Sequence, residues 1–446
     1  MHRSMMRLGG LALALLAVQS RPARATDGHF LHGVGAINSA MGGVGVAHAS
    51  SLLGALYVNP AGLLAFRGTA TELGFEMFKP ERTIESSAGP TTGSTASSSE
   101  FVPVPAFGWS RELRANELAV AVGGLGIGGF GVDYHTDPTN PVLAPRPYGF
   151  GAVYSNFSLM KIIPALAFRP AENVRIGVAV NVDWASLAVD PMPTAAPAVD
   201  PGPDGTWQTP DDRAYYSRAT DADGSFGIGA QLGVQMDLSA HFALGLAYTS
   251  PQVFQKFKYD AVYENPNLPS YNTPRSITFA MDVPAVYAAG LSITPSSALA
   301  IGLDTKYITY HSTRGFKEKG FAADGSVKGF GWRDIWSFSA GLQYRPVSRV
   351  ALRGGYNYSE NPIPNDLSMF NTAAPAVVQH HLTLGAGYAF SNGFGLDVAY
   401  YHAFKNSIDG PFQTPAGAMP GTSVKSSMSE NSMLIGFTFA PPGLPR

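Results

Sequence analysis

The sequence predicts an all-β protein, a transmembrane antiparallel β-barrel of about fourteen strands with an N-terminal hatch plugging the lumen. Three observations predict this fold. Apolar and polar residues alternate in long segments, short and long connections alternate between these segments, and only 14% of the residues are charged. Globular domains carry about 25% charged residues. The alternation spreads the apolar residues along each segment, so no stretch reaches the roughly 18 apolar residues of a transmembrane helix.

Composition and motifs also exclude several function classes. The net charge of -2 argues against a nucleic-acid partner, and the lack of cysteine excludes disulfides and thiol chemistry. The pairs His29 with His32 and His380 with His381 lack a spaced third ligand, so no metal site is predicted. The sequence contains no nucleophile elbow, zincin helix or P-loop. We therefore predict neither an enzyme nor a bound cofactor.

Residues 1–25 have the pattern of a secretory signal peptide. Arg3 and Arg7 form a basic start, residues 8–18 are apolar, and residues 23–25 fit the small-x-small cleavage rule. The apolar run is too short for a membrane anchor. We expect cleavage after this motif and a mature chain that crosses the bacterial outer membrane many times.

The clearest strand covers residues 174–184. Large apolar residues occupy every second position from Val174 to Trp184, and the positions between them are small or polar, such as Asn181 and Asp183. Period two places the first set toward lipid and the second toward the lumen. We count fourteen such segments, at residues 69–79, 104–110, 118–129, 159–168, 174–187, 225–237, 242–255, 276–294, 298–310, 335–345, 350–358, 381–390, 394–404 and 431–439.

Short and long connections alternate along the chain, which predicts tight periplasmic turns and long extracellular loops. The short ones are residues 112–116, 170–173, 237–241, 295–297, 346–349 and 391–393. The long ones are residues 81–101, 132–158, 188–223, 256–275, 311–332, 359–380 and 405–430. A soluble β-sandwich gives no reason for this order. Residues 68–439 therefore form the predicted barrel, and residues 440–446 a short extension after Phe439.

Residues 26–67 precede the first predicted strand and are apolar and rich in glycine and alanine. They lack period two, and they are too apolar for a disordered tail. The inward residues of the strands are mostly small or polar, so fourteen strands would leave a wide lumen. Folding of residues 26–67 into that lumen would bury their apolar side chains and satisfy their backbone polar groups. We therefore expect this segment to be the hatch.

Several groups of residues resemble the FadL/TodX family of outer-membrane transporters for long-chain fatty acids and hydrocarbons. They are Asn59, Pro60 and Ala61 at the end of the hatch, residues 282–285, residues 332–341 followed by 352–356, and residues 361–365. The resemblance covers the whole mature chain. It implies a fourteen-stranded barrel plugged by an N-terminal hatch, in agreement with the strand count.

The resemblance also implies a function, the passive transport of hydrophobic molecules. Long-chain fatty acids are the first candidate substrate. The route would run from capture on the loops to a pocket above the hatch and sideways out through the barrel wall. A hydrophobic molecule gains about 0.8 kcal/mol for each CH₂ removed from water, which favours such an exit. One alternative is uptake of aromatic or alkane hydrocarbons by the same route. Another, of a different class, is an outer-membrane adhesin or structural barrel.

Partners follow from this location and function. We expect contact with the hydrophobic small-molecule substrate, with outer-membrane lipid and lipopolysaccharide, and with the barrel-assembly machinery during insertion. No nucleic acid is expected, and the protein is expected to be a monomer.

Glycines are concentrated in the third predicted strand. Glycine within a strand marks a bulge, a kink or a close approach, and the resemblance implies an inward kink here that opens a lateral gate. The alternative is that the glycines relieve crowding near the hatch. The candidate gate residues are Gly123, Gly124, Gly126, Gly128, Gly129 and Phe130.

Large apolar residues of the third and fourth long loops are candidates for a hydrophobic capture groove. The alternative is packing within the loops or an interfacial aromatic girdle. The set consists of Trp207, Tyr215, Tyr216, Val253, Phe254 and Phe257.

A fatty acid needs a cationic partner for its carboxylate, because a charge-assisted hydrogen bond offsets part of the loss of hydration. Four basic residues occupy inward positions of predicted strands. The alternative is that they pair with the hatch or with inward acids such as Asp183, Asp304 and Asp397. The candidate carboxylate contacts are Lys161, Arg175, Lys306 and Arg353.

Overall fold

The computed structural model describes residues 27–99, 101–207 and 212–440. The signal peptide predicted at residues 1–25 lies outside the described residues, as do residues 441–446 of the predicted extension. Within the described ranges, no helix combines the length and the hydropathy needed to cross a membrane.

Fourteen antiparallel strands, each paired with its neighbours in the sequence, form the wall of the protein. The strand β14 pairs with β1, and β6 pairs with β7, so the sheet closes on itself. Closure removes the unpaired edges that lipid cannot hydrate. The strands are β1 Thr69–Ala88, β2 Val102–Arg114, β3 Leu118–Tyr134, β4 Val153–Ala171, β5 Val174–Asp190, β6 Ala219–Asp237, β7 Phe242–Thr249, β8 Val286–Ser296, β9 Leu299–Ile308, β10 Ile335–Val347, β11 Val350–Ser359, β12 His380–Ala389, β13 Phe394–Gly410 and β14 Thr422–Phe439.

The alternation in β5 separates two faces as predicted. Val178 and Val180 are 41% and 47% exposed, while Ala179, Asn181 and Asp183 between and beside them are buried. An apolar side chain on the outer face meets lipid, and a polar one on the inner face meets the lumen. The predicted barrel of fourteen strands is therefore confirmed.

Two predicted strands are too long. The segment predicted at 242–255 ends as β7 at Thr249, and Val253–Phe254 pairs separately with β6. The segment predicted at 276–294 is divided into Pro274–Phe279, which pairs within a loop, and β8. Asp282 lies in this interruption and accepts the backbone N–H of Phe254 at 2.9 Å. Pro284 also lacks the backbone N–H that strand pairing needs. The period-two pattern of the sequence therefore continues through residues that are not in a strand.

Other strands are longer than predicted on the extracellular side. The strand β1 continues to Ala88 and pairs with β14 throughout, from Thr71 opposite Phe439 to Ala88 opposite Thr422. The apolar alternation ends where the wall leaves the lipid, but backbone pairing does not need apolar side chains. The sequence pattern therefore reports the membrane-embedded part of each strand.

Residues 27–67 lie inside the barrel. They form two short helices, α1 Gly35–Ala40 and α2 Leu52–Val58, and a 3-10 turn at Pro60–Ala65. Helix α1 packs on β1 and on β11 to β14, helix α2 on β1 to β3, and the 3-10 turn on β3 to β6. Because these contacts reach opposite sides of the wall, the segment fills the lumen. We call residues 27–67 the N-terminal segment.

Inward carboxylates of the wall bind backbone N–H groups of the N-terminal segment. Asp304 on β9 accepts from Gly45 at 2.7 Å and from Val46 at 2.9 Å. Glu72 on β1 accepts from Leu52 at 2.7 Å, at the first turn of α2, where N–H groups have no partner within the helix. These bonds join the segment both to β1, which follows it directly, and to β9, which is far away in the sequence.

Candidate functional site

The wall is interrupted between β2 and β3. Their pairing runs from Arg114 opposite Leu118 to Ala106 opposite Leu125 and then stops. From Gly126 to Tyr134, β4 is the one described wall strand that pairs with β3, and the register between them shifts between Gly126 and Gly128. Nearer the extracellular side, Ser98 contacts the backbone of Asp133 through a 2.8 Å N–H···O bond. The interruption is therefore a bounded opening, which we call the wall gap.

The chain on the β2 side of the wall gap contains two prolines. Pro103 and Pro105 pair with Met77 and Phe75 of β1, but they have no partner on β3. Proline supplies no N–H and is found at strand edges. The run Val-Pro-Val-Pro is thus a sequence signal for the gap that our sequence analysis missed.

The N-terminal segment takes the place of β2 beside the upper half of β3. Leu31 donates its N–H to the carbonyl of Ile127 at 3.0 Å, and Gly129 donates to the carbonyl of His29 at 3.0 Å. A Cβ at Gly128 would lie 2.1 Å from the His29 carbonyl oxygen. Glycine at position 128 therefore permits the close approach of two backbones.

The other glycines of the predicted gate have different surroundings. A Cβ at Gly126 would meet the Val104 side chain at 2.5 Å, and one at Gly123 would meet Leu56 of α2 at 2.8 Å. A Cβ at Gly129 would lie 2.3 Å from the carbonyl oxygen of Phe157. A Cβ at Gly124 would have no neighbour within 4 Å. The structure therefore places Gly126 and Gly128 at the wall gap and Gly123 against the N-terminal segment, in part as the crowding alternative expected.

A cavity of about 360 Å³ lies at the wall gap. Small-molecule sites commonly have volumes of about 300–1,000 Å³. Residues of β1 to β4, β13 and β14 and of the N-terminal segment line it, and we call it the gap cavity. Its lining includes His29, Phe30, Phe78, Arg82, Ser99, Val102, Val104, Gly128, Phe130, Phe157 and Glu430.

Aromatic rings form the inner end of the gap cavity. The ring of His29 lies 4.4 Å from that of Phe130 and 4.3 Å from that of Trp332, and Phe130 lies 4.9 Å from Phe157. Burial lowers the pKa of His29 well below its usual range, so the imidazole is neutral at pH 7. Trp332 is fully buried and donates its indole N–H to Asn371 at 2.7 Å. These groups offer an apolar surface with no net charge.

A smaller cavity of about 50 Å³ lies deeper, and the N-terminal segment contributes Asp27, Phe30, Tyr57 and Val58 to its lining. Lys161 and Lys306 contribute its basic groups, and Phe30 separates it from the gap cavity because its ring lines both. We call it the inner cavity. Most of its remaining lining is apolar, with Val58, Ile127, Val283, Pro284, Val286 and Ile308.

Three of the four candidate carboxylate contacts already have acidic partners. Lys306 Nζ lies 2.9 Å from Asp27 of the N-terminal segment. Arg353 Nη1 lies 2.7 Å from Asp397, and Arg175 pairs with Asp237. This is the alternative given for each of them by the sequence.

Lys161 is different. It is 4% exposed, and among the described residues its ammonium has no hydrogen bond and no acidic oxygen within 4 Å. Asp183 stands opposite it in the β4–β5 register, with both carboxylate oxygens buried and lacking a hydrogen bond. A buried ammonium without a close partner is costly, and Lys161 is the one candidate carboxylate contact of the four that makes no direct ion pair with a described residue.

Asn59, Pro60 and Ala61 join the N-terminal segment to β5 and β6. The Asn59 amide donates to Val46 at 2.7 Å, and its oxygen accepts the N–H of Ala61 at 3.0 Å. A Cβ at Gly177 would lie 2.2 Å from the Ala61 nitrogen, and one at Gly233 would lie 1.8 Å from the Asn59 side-chain oxygen. The motif therefore needs two glycines in the facing wall.

The six loop residues of the predicted capture groove do not form one surface. Phe254 and Phe257 are 5% and 0% exposed, in the apolar core that also contains Phe316. Val253 and Trp207 are 57% and 59% exposed. The structure thus separates two inward rings from two exposed side chains.

The two tyrosines of the set are held within the loops. Tyr215 is buried and lies in a short loop strand paired with residues 198–200. The hydroxyl of Tyr216 donates to the carbonyl of Gly325 at 2.9 Å. Burial raises the pKa of Tyr216 to about 12, so this donor keeps its proton at neutral pH. Loop packing, the alternative considered above, describes both residues.

A closed antiparallel barrel with an apolar outer face and a polar, filled lumen is the architecture of a bacterial outer-membrane channel. The chain belongs to the outer membrane protein transport protein family (OMPP1/FadL/TodX), whose family model matches residues 28–440. Members of this family are transport proteins for hydrophobic compounds in the outer membrane, not enzymes.

Solved structures show the same fold at low sequence identity. The toluene transporter TodX of P. putida is 17% identical, with a TM-score of 0.69, and the match covers 92% of this chain and 99% of that one. A Pseudomonas aeruginosa FadL homologue is 15% identical, with a TM-score of 0.70 and coverages of 93% and 99%. The Ralstonia pickettii toluene transporter TbuX is 18% identical, with a TM-score of 0.64 and coverages of 92% and 99%. No curated protein matches the chain.

Proposed function

We propose that this protein passively transports hydrophobic molecules, long-chain fatty acids first, and releases them sideways through the wall gap. One observation carries the proposal, the loss of β2–β3 pairing above Leu125 at a cavity lined with aromatic rings. A closed wall needs no such interruption. A hydrophobic molecule that leaves through it enters lipid without passing through water, which is favourable by about 0.8 kcal/mol for each CH₂.

The N-terminal segment would act as the hatch in this scheme. Its carbonyl and N–H groups are bound by wall side chains such as Asp304, Glu72 and Gln235. It separates the two cavities from the periplasmic end of the barrel, so that the inner route leads to the gap and not to the periplasm. The motif of Asn59, Pro60 and Ala61 would hold its end in place.

Capture would begin on the extracellular loops. Phe254 and Phe257 are buried beside the inner rings, and Phe254 lines a small apolar cavity together with His29, Phe30 and Phe157. This arrangement supports a path of aromatic contacts from the loops toward the gap cavity. Val253 and Trp207 would contribute the exposed entrance.

Lys161 is the reason to place fatty acids before hydrocarbons. A toluene molecule has no use for a buried ammonium, whereas a carboxylate in the inner cavity would form a charge-assisted hydrogen bond with it. Hydrocarbons remain the second candidate, because TodX and TbuX, with the same fold, are described as toluene transporters and CymD as a monoaromatic hydrocarbon channel. The route would be the same for both classes.

We propose further that the protein acts as a monomer in contact with outer-membrane lipid and lipopolysaccharide. Closure of the barrel leaves the edge of β2 at the wall gap as the interrupted part of the described wall, and the prolines of that edge disfavour pairing with a second chain. The last strand ends at Phe439. We propose that the barrel-assembly machinery recognises this aromatic residue during insertion.

Blocking the wall gap tests the function. The chain has no cysteine, so a thiol placed by Val104→Cys would be the single site for a bulky maleimide in the gap cavity. We expect cells that carry the labelled protein to take up radiolabelled oleate and toluene as slowly as cells that lack the gene. Leu246→Cys on the outer face of β7, 61% exposed, is the matched control and should transport normally after labelling.

Two results would contradict the proposal. Unchanged uptake in the labelled Val104→Cys protein would exclude exit through the gap. Equal uptake with and without the gene, for both compounds, would instead leave the adhesin or structural barrel as the better reading.

A further inference from the structure

The gap cavity has a polar end that the proposed route does not use. Arg82 on β1 lines this end and is 6% exposed. Its guanidinium makes one long hydrogen bond, from Nη1 to Ser99 Oγ at 3.5 Å, and among the described residues no acidic oxygen lies within 4 Å of it. A guanidinium has five N–H donors, so most of its hydrogen-bonding capacity is unused.

Two acidic residues of the same lining, Glu430 and Asp133, have no oxygen within 4 Å of the Arg82 guanidinium. Glu430 lies 3.5 Å from His381 Nε2. Asp133 accepts from the Ser98 hydroxyl at 2.8 Å. The gap cavity therefore holds a buried cation that forms no direct ion pair with the acidic residues described in its lining.

Burial of an unpaired guanidinium is expensive, and so is burial of an unpaired carboxylate. Bringing the two together in one cavity offsets both costs. The planar fork of arginine also matches the two oxygens of a carboxylate. The aromatic end of the cavity, formed by His29, Phe130 and Phe157, would contact the apolar part of the same molecule.

We propose that Arg82 is a specificity-determining residue that binds the carboxylate of an anionic amphiphile in the gap cavity. This inference rests on the proposed exit through the wall gap. Arg82 would be a second cationic contact for the substrate, after Lys161 in the inner cavity. Phe30 lies between the two cavities. The polar end of the gap cavity would then hold the acid group of the substrate. A neutral hydrocarbon would pass the same gap without using Arg82.

Binding to the full-length purified protein in detergent micelles tests the inference. The probes are tritiated palmitic acid and tritiated hexadecanol, which share a chain and differ in the charged group at about pH 7.5. For Arg82→Gln we expect the Kd of palmitic acid to rise about tenfold or more, as for the loss of a hydrogen bond to a charged group, while the Kd of hexadecanol stays unchanged. For Arg82→Lys, the Kd of palmitic acid should lie between the values for the wild type and for Arg82→Gln.

The matched control is Arg111→Gln, which changes an exposed arginine at the periplasmic end of β2, away from the cavity. Heat-modified migration on gels shows that each variant contains a folded barrel. An equal change for acid and alcohol in Arg82→Gln would mean that Arg82 only shapes the cavity, and no change for either would mean that it contacts no ligand. Both results overturn the inference.

Failure of the proposed function gives a different pattern. In that case labelled Val104→Cys would leave uptake of oleate and toluene unchanged, whatever the Kd values of palmitic acid and hexadecanol are for Arg82→Gln. A loss of acid selectivity in Arg82→Gln together with block by the Val104 label supports both proposals.

Discussion

At the scale of single residues, the wall gap depends on how closely two backbones approach. Gly128 is the contact point, because a Cβ there would collide with the His29 carbonyl. Gly124 belongs to the same glycine run, yet its added Cβ would meet nothing within 4 Å. Two glycines four residues apart in one strand therefore have different reasons for being glycine.

Gly128→Val should detach the N-terminal segment from β3 while the barrel stays folded. Overpacking of this kind costs about 1–3 kcal/mol, and the bonds of Leu31 and Gly129 across the contact would be lost. Hydrogen exchange of residues 27–34 should speed up by about tenfold or more. Gly124→Val is the control and should exchange like the wild type. Normal protection in Gly128→Val would show that the contact does not hold the segment.

At the scale of elements, the N-terminal segment is held by the wall and not by its own helices. Helices α1 and α2 contain 6 and 7 residues, too short to be stable alone. Their stability comes from apolar packing inside the lumen and, for α2, from Glu72 of the wall, which accepts the backbone N–H groups of Leu52 and Leu53. Composition predicted that this segment is buried, but the identity of its polar partners depends on which strands surround it.

Three histidines of the N-terminal segment lead us to expect that its attachment depends on pH. Burial lowers the pKa of His29 and His32 well below their usual range and that of His48 to about 4. Above about pH 6.5 these side chains are neutral whether the segment is docked or detached. As the pH falls from about 6.5 toward 4, the detached segment binds protons that the docked one excludes, so attachment weakens.

We therefore expect hydrogen exchange of residues 27–67 to be faster at about pH 5 than at pH 7.5, after correction for the intrinsic rate. His48→Gln should reduce the difference, and His241→Gln, at an exposed periplasmic turn, should not. A difference that is the same in all three proteins would exclude His48 as a source of the effect.

At the scale of the whole molecule, the barrel and its filling are separable. The fourteen strands close through their own pairing, including β14 with β1, and none of these pairs includes the N-terminal segment. Removal of the segment would expose inward polar groups such as Asp304 and Gln235 to water, which can hydrate them.

A variant lacking residues 28–66 should form a folded barrel with an open lumen. We expect steady ion conductance in planar bilayers, where the full chain shows little, and entry of small polar antibiotics into cells. A folded but non-conducting variant would show that something other than the N-terminal segment closes the channel.

The sequence by itself determined the barrel, the faces of its strands and the buried N-terminal segment. Period two, loop length and composition are local properties, and a lipid-facing strand must display them wherever it lies in the fold. The glycine run is also a local property, and it indicated the third strand, where pairing with β2 is interrupted. The predicted strands at 242–255 and 276–294 were too long, because the alternation continues beyond Thr249 and begins before Val286, where the chain lies outside the wall strands.

Only the tertiary structure decided which polar residues are paired and which are free for a ligand. Lys161, Lys306 and Arg353 look alike as inward basic residues, but two of them form ion pairs with acids distant in the sequence, whereas the Lys161 ammonium has no described acidic oxygen within 4 Å. Arg82 drew no attention in the sequence, because nothing nearby shows that its side chain faces the opening where β2 leaves β3. Closing a barrel brings together residues hundreds of positions apart, and the partner of a buried charge is set by that closure.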